Sequence, residues 1–287
     1  MTDSPLPRVT IGLPVRNGEA LIEACLDCLS NQTYRDIEIL VFDNASTDRT
    51  PEIVAQAMRR DSRIKLIRHE NDIGIVGNFL AALDASRSPY FMWRAYDDVS
   101  SLNYVEGLVA ALDAHPGAML AAPTVETLRT HSGKLRVRSP PAPEEGPDSP
   151  LVRKRWMLRR LQAGWVYGLY RRQFLVDTYG YITREYHHAW AGDYLMLATF
   201  VHRGEIVGAP DTRLTLQLTG APKEYDSSAL THERIALARN FWQVLEKLLA
   251  EQRLTVYQRL LARLAHVWLL QRRVAKWPIL FRALMNR

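Results

Sequence analysis

The sequence predicts an α/β protein built around a mostly parallel sheet, and two observations lead to that fold class. Short β-rich runs without polar alternation, typical of strands covered on both faces, occur at residues 9–15 (VTIGLPV) and 37–42 (IEILVF). Segments with apolar residues at helical spacing separate such runs along the chain. This alternation predicts right-handed βαβ crossovers, so consecutive strands are expected to lie parallel.

Each element of the first half follows from a local pattern. Residues 19–30 carry apolar side chains at helical spacing. The next helix has an explicit start, because Ser46 or Thr47 can cap it, Asp48 suits its first turn and Pro51 takes an early helical position. The further elements predicted for this half are strands at residues 64–67, 90–94 and 119–122 and helices at residues 75–86 and 102–115.

The second half is predicted to begin with a long loop. Residues 138–150 (RSPPAPEEGPDSP) contain too many prolines for a ladder or a helix. This loop is either a flexible surface connection or, over residues 139–150, a lid. The elements expected after it are a helix at 151–161, a strand at 165–170, a helix from Asp193 and helices at 227–250 and 255–275.

Composition narrows the function classes. The 287 residues include 24% charged residues and carry a formal charge of +6, which indicates an anionic partner for a globular protein. No recognition-helix motif or RNA-binding signature is present, so we expect no nucleic-acid binding. Cys25 and Cys28 lack a second pair at zinc-like spacing and are predicted to be buried thiols. The start MTDSPLPR has no apolar leader, and a cytoplasmic location is expected.

Polar side chains cluster where the predicted strands end. Asp97 and Asp98 follow the strand at 90–94, and an acidic pair there either holds a divalent cation beside a diphosphate or forms a solvated turn. The turns PVRNG at residues 14–18 and DNASTD at 43–48 are expected at the same sheet edge, where they could meet a nucleotide. Neither GxGxxG after the first strand nor GxxxxGK[ST] occurs, so the sequence supports neither a dinucleotide fold nor a P-loop.

The order of these motifs resembles the family 2 glycosyltransferases, which are nucleotide-sugar-dependent enzymes with the GT-A fold. The similarity runs through residues 9–50, NDIGIVGN and PYFMWRAYDD, closely over the first 125 residues and loosely over the next 90. It implies a GT-A type, Rossmann-like, mostly parallel sheet flanked by helices. The implied domains are a GT-A domain at 1–220, with a nucleotide-binding part at 1–125 and an acceptor part at 126–220, and a C-terminal helical region at 221–287.

The resemblance also implies residue roles. Asp98 would bind Mg²⁺ or Mn²⁺ bridging the diphosphate, and Asp97 would lie nearer the ribose or sugar. Ala95 stands where many relatives carry a further Asp. The positions matched to nucleotide-sugar binding are Pro14, Val15, Arg16, Asn17, Asp43, Asn44, Asn71, Gly74, Asn78, Tyr96 and Asp97.

Asp193 is the candidate general base, because direct displacement at an anomeric carbon needs a group that takes the acceptor's proton. It lies in HAWAGDY, which resembles the family's Glu-Asp or Gly-Asp motif, although an Asp is also favoured at any helix N-terminus. His188 and Trp190 are expected on the acceptor side. Residues 212–223 lack the later His that completes metal coordination in many members, so either water or the lid would supply that ligand or metal dependence is weaker.

The last 37 residues, 251–287, contain eight Lys or Arg and one acidic residue, Glu251, among Trp and Leu side chains. This composition is typical of a helix on an anionic membrane surface, of a basic helix packed on the catalytic domain, or of a homodimer contact. The basic run at 153–160 could extend that surface, meet an acceptor phosphate or face solvent.

The resemblance implies an inverting glycosyltransferase that moves a sugar from a UDP-, GDP- or dTDP-sugar to a hydroxyl of a glycan or polyprenyl-linked acceptor. The expected setting is bacterial-type surface polysaccharide synthesis, in the cytoplasm or at the inner face of the cell membrane. The absence of QxxRW favours single additions over polymerisation. Two alternatives remain open: a sugar nucleotidyltransferase, and a catalytically silent module that binds nucleotide sugars or glycans.

Overall fold

The computed structural model describes residues 6–131, 134–138, 142–143, 149–186, 191–218 and 231–285. Its internal contacts divide the chain into two compact units. Unit 1 comprises Met1–Glu144, Gly164–Val176 and Val207–Thr219, and unit 2 comprises Glu145–Ala163, Asp177–Ile206 and Gly220–Arg287. The predicted C-terminal region therefore falls within unit 2, which also takes in two earlier segments.

Unit 1 carries the sheet. Its strands are β1 Val9–Val15, β2 Ile37–Asp43, β3 Ile64–Arg68, β4 Tyr90–Trp93, β5 Val99–Ser100, β6 Ala118–His131, β7 Lys134–Arg138, β8 Leu169–Arg171 and most of β9 Glu205–Leu218. Its helices are α1 Ile22–Ser30, α2 Thr50–Arg60, α3 Gly74–Ala85 and α4 Tyr104–Ala114. These bounds confirm the elements predicted through residue 122, whereas β5 was not predicted and β6 extends to His131.

Unit 2 is helical. It contains α5 Pro150–Arg160, most of α6 Arg172–Glu185, α7 Gly192–Arg203, α8 Thr231–Ala250, α9 Val256–Leu269 and α10 Trp277–Met285. In the part of the chain that the structure describes, no helix combines the length and the apolar content needed to cross a bilayer.

The sheet is parallel in its first half and antiparallel in its second. Strand order is β3-β2-β1-β4-β8-β6-β9-β5, with β7 paired to β6. β1 pairs in parallel with β2 and β4, and β2 pairs in parallel with β3. The pairs β4–β8, β6–β8, β6–β7 and β5–β9 are antiparallel. The mostly parallel arrangement is thus limited to the four strands joined by helical crossovers.

Burial explains why the parallel strands have no polar alternation. All seven residues of β1 are buried, and its core side chains pack with those of β2, β4, α1 and α4. In the register of the β1–β2 pair, Val15 lies opposite Asp43, so the turns after β1 and β2 begin at the same edge of the sheet. Arg94 N donates to Gly12 O at 2.9 Å, which holds the chain after β4 beside β1.

Two local predictions were wrong. The predicted strand at 165–170 is instead a 3₁₀ turn, Ala163–Tyr167, followed by the short β8. Gly168 N donates to Trp165 O at 3.0 Å within this turn, which removes these residues from the sheet. Neither Ser46 nor Thr47 caps α2; instead Asp48 Oδ1 accepts hydrogen bonds from Thr50 N at 3.0 Å and from Thr50 Oγ1 at 2.6 Å.

Of the other predictions, one helix is followed by further helical elements, and two segments fall mostly or wholly outside the described residues. The predicted helix at 255–275 ends in a π turn, Leu270–Val274, and the unpredicted α10 follows it. The loop at 138–150 and the helix start at 227–230 fall mostly or wholly outside the described residues. Cys25 and Cys28 are free thiols; Cys25 is buried as predicted, and Cys28 is half-buried.

Candidate nucleotide-sugar site

The acidic pair lies directly after β4, at the edge where the parallel strands end. Asp97 is half-buried, whereas only 5% of Asp98 is exposed. Asp98 Oδ1 accepts a hydrogen bond from Gln217 N in β9 at 3.2 Å. Burial is the main cause that raises the pKa of Asp98 to about 7, and the negative charge of Asp97 is the second. Burial also raises the pKa of Asp97.

A buried arginine, Arg94, accompanies the pair and was not among the predicted site residues. Its guanidinium has no exposed surface, lies over the Tyr104 ring at 5.3 Å, and places Nη2 at 3.7 Å from Cys28 Sγ. Its positive charge acts on Asp98 in the direction that lowers the pKa, but burial outweighs it. Ionisation of Asp98 is therefore unfavourable in the metal-free protein.

The chemistry of these side chains fits a divalent cation. Carboxylate oxygens are the ligands that Mg²⁺ and Mn²⁺ prefer, and two close carboxylates with raised pKa values gain from a cation between them. Across the residues for which coordinates are described, no group of three His, Cys, Asp or Glu side chains forms a metal cluster. Asp97 and Asp98 would thus supply two ligands, and Ala95 supplies no third carboxylate.

An open cleft of about 650 Å³ lies where β1, β2 and β3 end. Its lining comprises Arg16, Ala45, Ser46, Thr47, Arg68, His69, Glu70, Asn71 and Asp72. The structure thus brings together two predicted residues, Arg16 and Asn71, with basic and acidic side chains that the sequence reading missed. A cleft with this mixture of charges and amide groups can meet the polar edges of a nucleotide.

Asp72 organises one wall of the cleft. Its carboxylate pairs with Arg16, accepts a hydrogen bond from Asn44 Nδ2 at 2.6 Å, and accepts another from Gly74 N at 2.8 Å. The Gly74 N–H, with Asn44 and Arg16, holds the pKa of Asp72 below its ordinary value. Asn44 also accepts from Ile73 N at 2.9 Å. An Asp two residues before a helix is a cap signal that could have identified it.

Asp43 lies beneath the cleft. It has no exposed surface, Oδ1 accepts from Ser46 N at 3.2 Å, and Oδ2 pairs with Arg68 Nε at 3.1 Å. Arg68 also donates to Ser46 O at 2.8 Å. A contact between Asp43 and a base therefore requires that Arg68 move, and the predicted role of Asp43 stays a prediction.

The turn after β1 is held by the turn after β2. Asn17 adopts a left-handed backbone conformation, with φ of 52°, and its N–H donates to Ser46 Oγ at 2.8 Å. Its side-chain oxygen accepts from Thr47 N at 2.9 Å. Pro14 and Val15 are buried within β1, and Val15 O accepts from Asn44 N at 2.8 Å. These two residues can position the turn, but they expose little side-chain surface to a ligand.

Tyr96 joins the cleft side to the acidic pair. A Cβ atom on Gly18 would lie 2.6 Å from Val15 Cγ2 and 2.9 Å from Tyr96 Cδ2, so the ring rests against the glycine. Burial, then the charge of Asp97, raises the pKa of Tyr96. Asn78 is buried, donating to Phe42 O at 2.9 Å and contacting His69 Nε2 at 3.1 Å, so its amide ties α3 to β2.

Asp193 lies in unit 2, in the first turn of α7. Ala191, immediately before that helix, has a left-handed φ of 56°. Burial raises the pKa of Asp193. Hydrogen bonds from backbone N–H groups at the start of the helix act in the opposite direction, but their effect is smaller. A carboxylate with a raised pKa is a better proton acceptor. The predicted acceptor residues His188 and Trp190 lie outside the described residues.

Residues 10–184 match the sequence model of Glycosyl transferase family 2, which is well over half of the chain. A putative glycosyltransferase of Bacillus subtilis, EpsH, is 33% identical over 104 residues, covering 36% of this chain and 30% of that protein. The chain spans about a third of the length of the first curated relatives that it matches.

Two solved structures share the fold. The structure of Staphylococcus aureus TarS residues 1–349 in complex with UDP-GlcNAc aligns with a TM-score of 0.65 and 16% identity, covering 92% of this chain and 81% of that one. The mannosyltransferase PcManGT from Pyrobaculum calidifontis, in complex with GDP-Man and Mn²⁺, aligns with a TM-score of 0.55 and 18% identity, covering 97% and 74%. With its curled mixed sheet flanked by helices, this protein has the GT-A fold and belongs to glycosyl transferase family 2.

Proposed function

We propose that this chain transfers a sugar from a nucleotide-diphosphate sugar to an acceptor hydroxyl, with inversion at the anomeric carbon. The observation that carries the proposal is the sheet edge itself: the cleft beside Arg16 and Asp72 and the acidic pair Asp97–Asp98 follow neighbouring parallel strands. Ligands of open α/β sheets bind at such an edge. TarS was crystallised with UDP-GlcNAc and PcManGT with GDP-Man, so this class of donor is supported by fold neighbours.

The nucleotide is proposed to occupy the cleft. Arg16 and Arg68 are both about half exposed there and can offer guanidinium N–H groups to phosphate or base oxygens. Asn17 and Asn71 are exposed beside them and can meet a ribose or a base. Which base the cleft selects, that of UDP, GDP or dTDP, depends on the hydrogen bonds that the cleft makes to it.

Asp98, with Asp97, is the proposed holder of Mg²⁺ or Mn²⁺. When bound, the cation supplies positive charge that neutralises the diphosphate as it departs. The neighbour PcManGT was solved with Mn²⁺, which favours a divalent cation in this fold. The peptide N–H of Gln217 fixes the orientation of the Asp98 carboxylate through its hydrogen bond to Oδ1.

Asp193 is the proposed general base. The acceptor oxygen attacks the anomeric carbon opposite the leaving diphosphate, the bond from that carbon to the phosphate oxygen breaks, and Asp193 takes the hydroxyl proton. Its position at the start of α7 and its raised pKa support this role. Asp193 lies beyond the family match at residues 10–184, so this role rests on its motif and its burial.

The proposed acceptor is a glycan, on its own or on a polyprenyl carrier, in surface polysaccharide synthesis. A cytoplasmic setting is part of the proposal, because Cys25 and Cys28 are free thiols engaged with the backbone at Ala95 O and Ser100 O. Free thiols are typical of reducing compartments.

The test uses the full chain with UDP-, GDP- and dTDP-sugars, Mg²⁺ or Mn²⁺, and a panel of glycan acceptors. We expect one nucleotide to raise the unfolding temperature, since ligands that bind only the native state stabilise it. We also expect release of that nucleoside diphosphate and a product of inverted anomeric configuration by NMR. Binding without turnover would instead favour a silent binding module, and formation of nucleotide sugar from NTP and sugar phosphate a nucleotidyltransferase.

The base is tested separately by Asp193→Asn. We expect kcat to fall by about 10² to 10⁴, the usual contribution of general-base catalysis, while donor binding is unchanged. Asp177→Asn, on an exposed carboxylate of α6, is the matched control. Near wild-type kcat in Asp193→Asn, with donor binding intact, would exclude this residue as the base.

A further inference from the structure

Helix α9 of unit 2 exposes a row of large apolar residues. Val256, Leu260 and Leu264, spaced four residues apart, are between 53% and 89% exposed. The residues that α9 buries are Ala262, Ala265, His266 and Leu269. A helix packed only on its own protein turns its larger apolar side chains inward. We call Val256, Leu260 and Leu264 the α9 stripe.

Helix α10 also exposes a row of large apolar residues. Trp277, Phe281 and Met285, again four residues apart, are between 56% and 65% exposed. Among the side chains that the structure describes, Ala283 packs in a small cluster with Ala238 and Ala275, and Ile279 packs against that cluster. We call Trp277, Phe281 and Met285 the α10 stripe. An exposed row of large apolar side chains, present on each of these two helices, is typical of a surface that contacts a membrane or another protein.

The charge of the same segment has one sign. The sequence after Glu251 contains no Asp or Glu through Arg287. The basic residues in the described part of this segment are Arg253, Arg259, Arg263, Arg272, Arg273, Lys276 and Arg282. Arg263 is neutralised by Glu246 of α8, with Nη2 at 2.5 Å from Oε2. Lys276 and Arg282, which flank the α10 stripe, are exposed.

These charges decide between the possible occupants. If a second copy covered the stripes through a two-fold contact, each basic residue would meet the same basic surface, and like charges would oppose association. An anionic lipid bilayer offers an apolar interior for the stripes and negative headgroups for the basic side chains. We propose that the α9 and α10 stripes dock unit 2 on an anionic bilayer surface.

The docking proposal does not depend on the transfer reaction, so its test measures vesicle association alone. The full-length protein is floated with vesicles of phosphatidylcholine, with or without phosphatidylglycerol. We expect association with the anionic vesicles only, weakening as salt rises. Leu260→Gln/Leu264→Gln/Phe281→Gln should reduce association at least about tenfold, because three apolar side chains no longer enter the bilayer.

The matched control is Met58→Gln/Leu102→Gln/Val137→Gln, which removes three exposed apolar residues of unit 1 and should leave association unchanged. A charge variant, Lys276→Glu/Arg282→Glu, should weaken association with anionic vesicles by about fivefold or more per residue. Unfolding temperatures equal to wild type show that the variants fold.

Equal association of the stripe and control variants would overturn the proposal. It would also be overturned if the chain ignored anionic vesicles but formed a dimer in analytical ultracentrifugation that the stripe variant dissociates. Such a result would assign the stripes to a second copy of the chain.

Discussion

Replacing Asp98 with Asn should stabilise the metal-free protein, because it removes a buried negative charge that lies beside a second carboxylate. Burial, then Asp97, raises the pKa of Asp98 from 3.8 to about 7. A carboxyl whose pKa is higher in the folded protein than in the unfolded chain favours folding most at low pH. That favourable term is lost as pH rises from the unfolded toward the folded pKa, and the loss is complete above pH about 7.

The magnitude follows from that shift. A change of about three pH units, at roughly 1.4 kcal/mol per unit, corresponds to about 4 kcal/mol for full ionisation. The carboxylate lies at the open end of the sheet, where solvent screens part of this energy, so we expect Asp98→Asn to gain about 2 to 4 kcal/mol at pH 8. At pH 5 the folded carboxyl is mostly protonated, and the gain should fall to about 1.5 kcal/mol.

Urea unfolding at pH 8 and pH 5, without divalent metal, measures both values. Asp61→Asn is the control of opposite sign, because Arg63 lowers the pKa of Asp61 to about 2 and the substitution should destabilise the protein at pH 8. Adding MnCl₂ should then stabilise wild type but not Asp98→Asn. The reasoning fails if Asp98→Asn is no more stable than wild type at pH 8, or if its gain does not fall at pH 5.

Three further predictions concern other parts of the protein. In unit 2, burial lowers the pKa of His202 to about 3 and that of His266 well below 6.5. The free energy of unfolding of the wild type should therefore fall as pH drops below about 6.5, because the unfolded chain binds protons that the folded protein does not. His202→Gln should make this pH dependence weaker in urea unfolding. Asp72→Asn should weaken nucleotide binding about tenfold or more, as measured by calorimetry. The reason is that Arg16, a proposed ligand of the nucleotide, loses the ion pair that holds its side chain at the wall of the cleft. Gly18→Ala should destabilise the protein by about 1 to 3 kcal/mol in urea unfolding, whereas equal stability would mean that the Tyr96 ring yields freely.

Much of the site could be read from local patterns because parallel strands impose a common edge. The apolar runs of β1, β2 and β4 predict strands buried on both faces, and the crossover helices between them predict parallel order. The residues that follow each strand then reach the same edge, as the register of Val15 opposite Asp43 confirms. For this reason Arg16 and the pair Asp97–Asp98 could be placed without coordinates.

The fold of the second half was less predictable, because its strands are not joined by regular crossovers. β8 is three residues long, and β9 pairs with β5 over a separation of more than 100 residues. No local periodicity reports such a pairing, since it depends on which distant segments reach each other. The pairing of strands in the antiparallel half of the sheet could therefore not be predicted from the sequence and is given only by the tertiary structure.

Local sequence patterns suffice to predict the order of elements in the parallel half, the position of the acidic pair and the basic, apolar character of the tail. The environment of each group depends on the folded chain. Only folding places Gln217 N on Asp98 and brings His202 Nε2 to 2.7 Å from His266 Nε2. Spacing along the chain reports which face a side chain takes, whereas desolvation, pKa and hydrogen bonding depend on atoms supplied by residues far away in sequence.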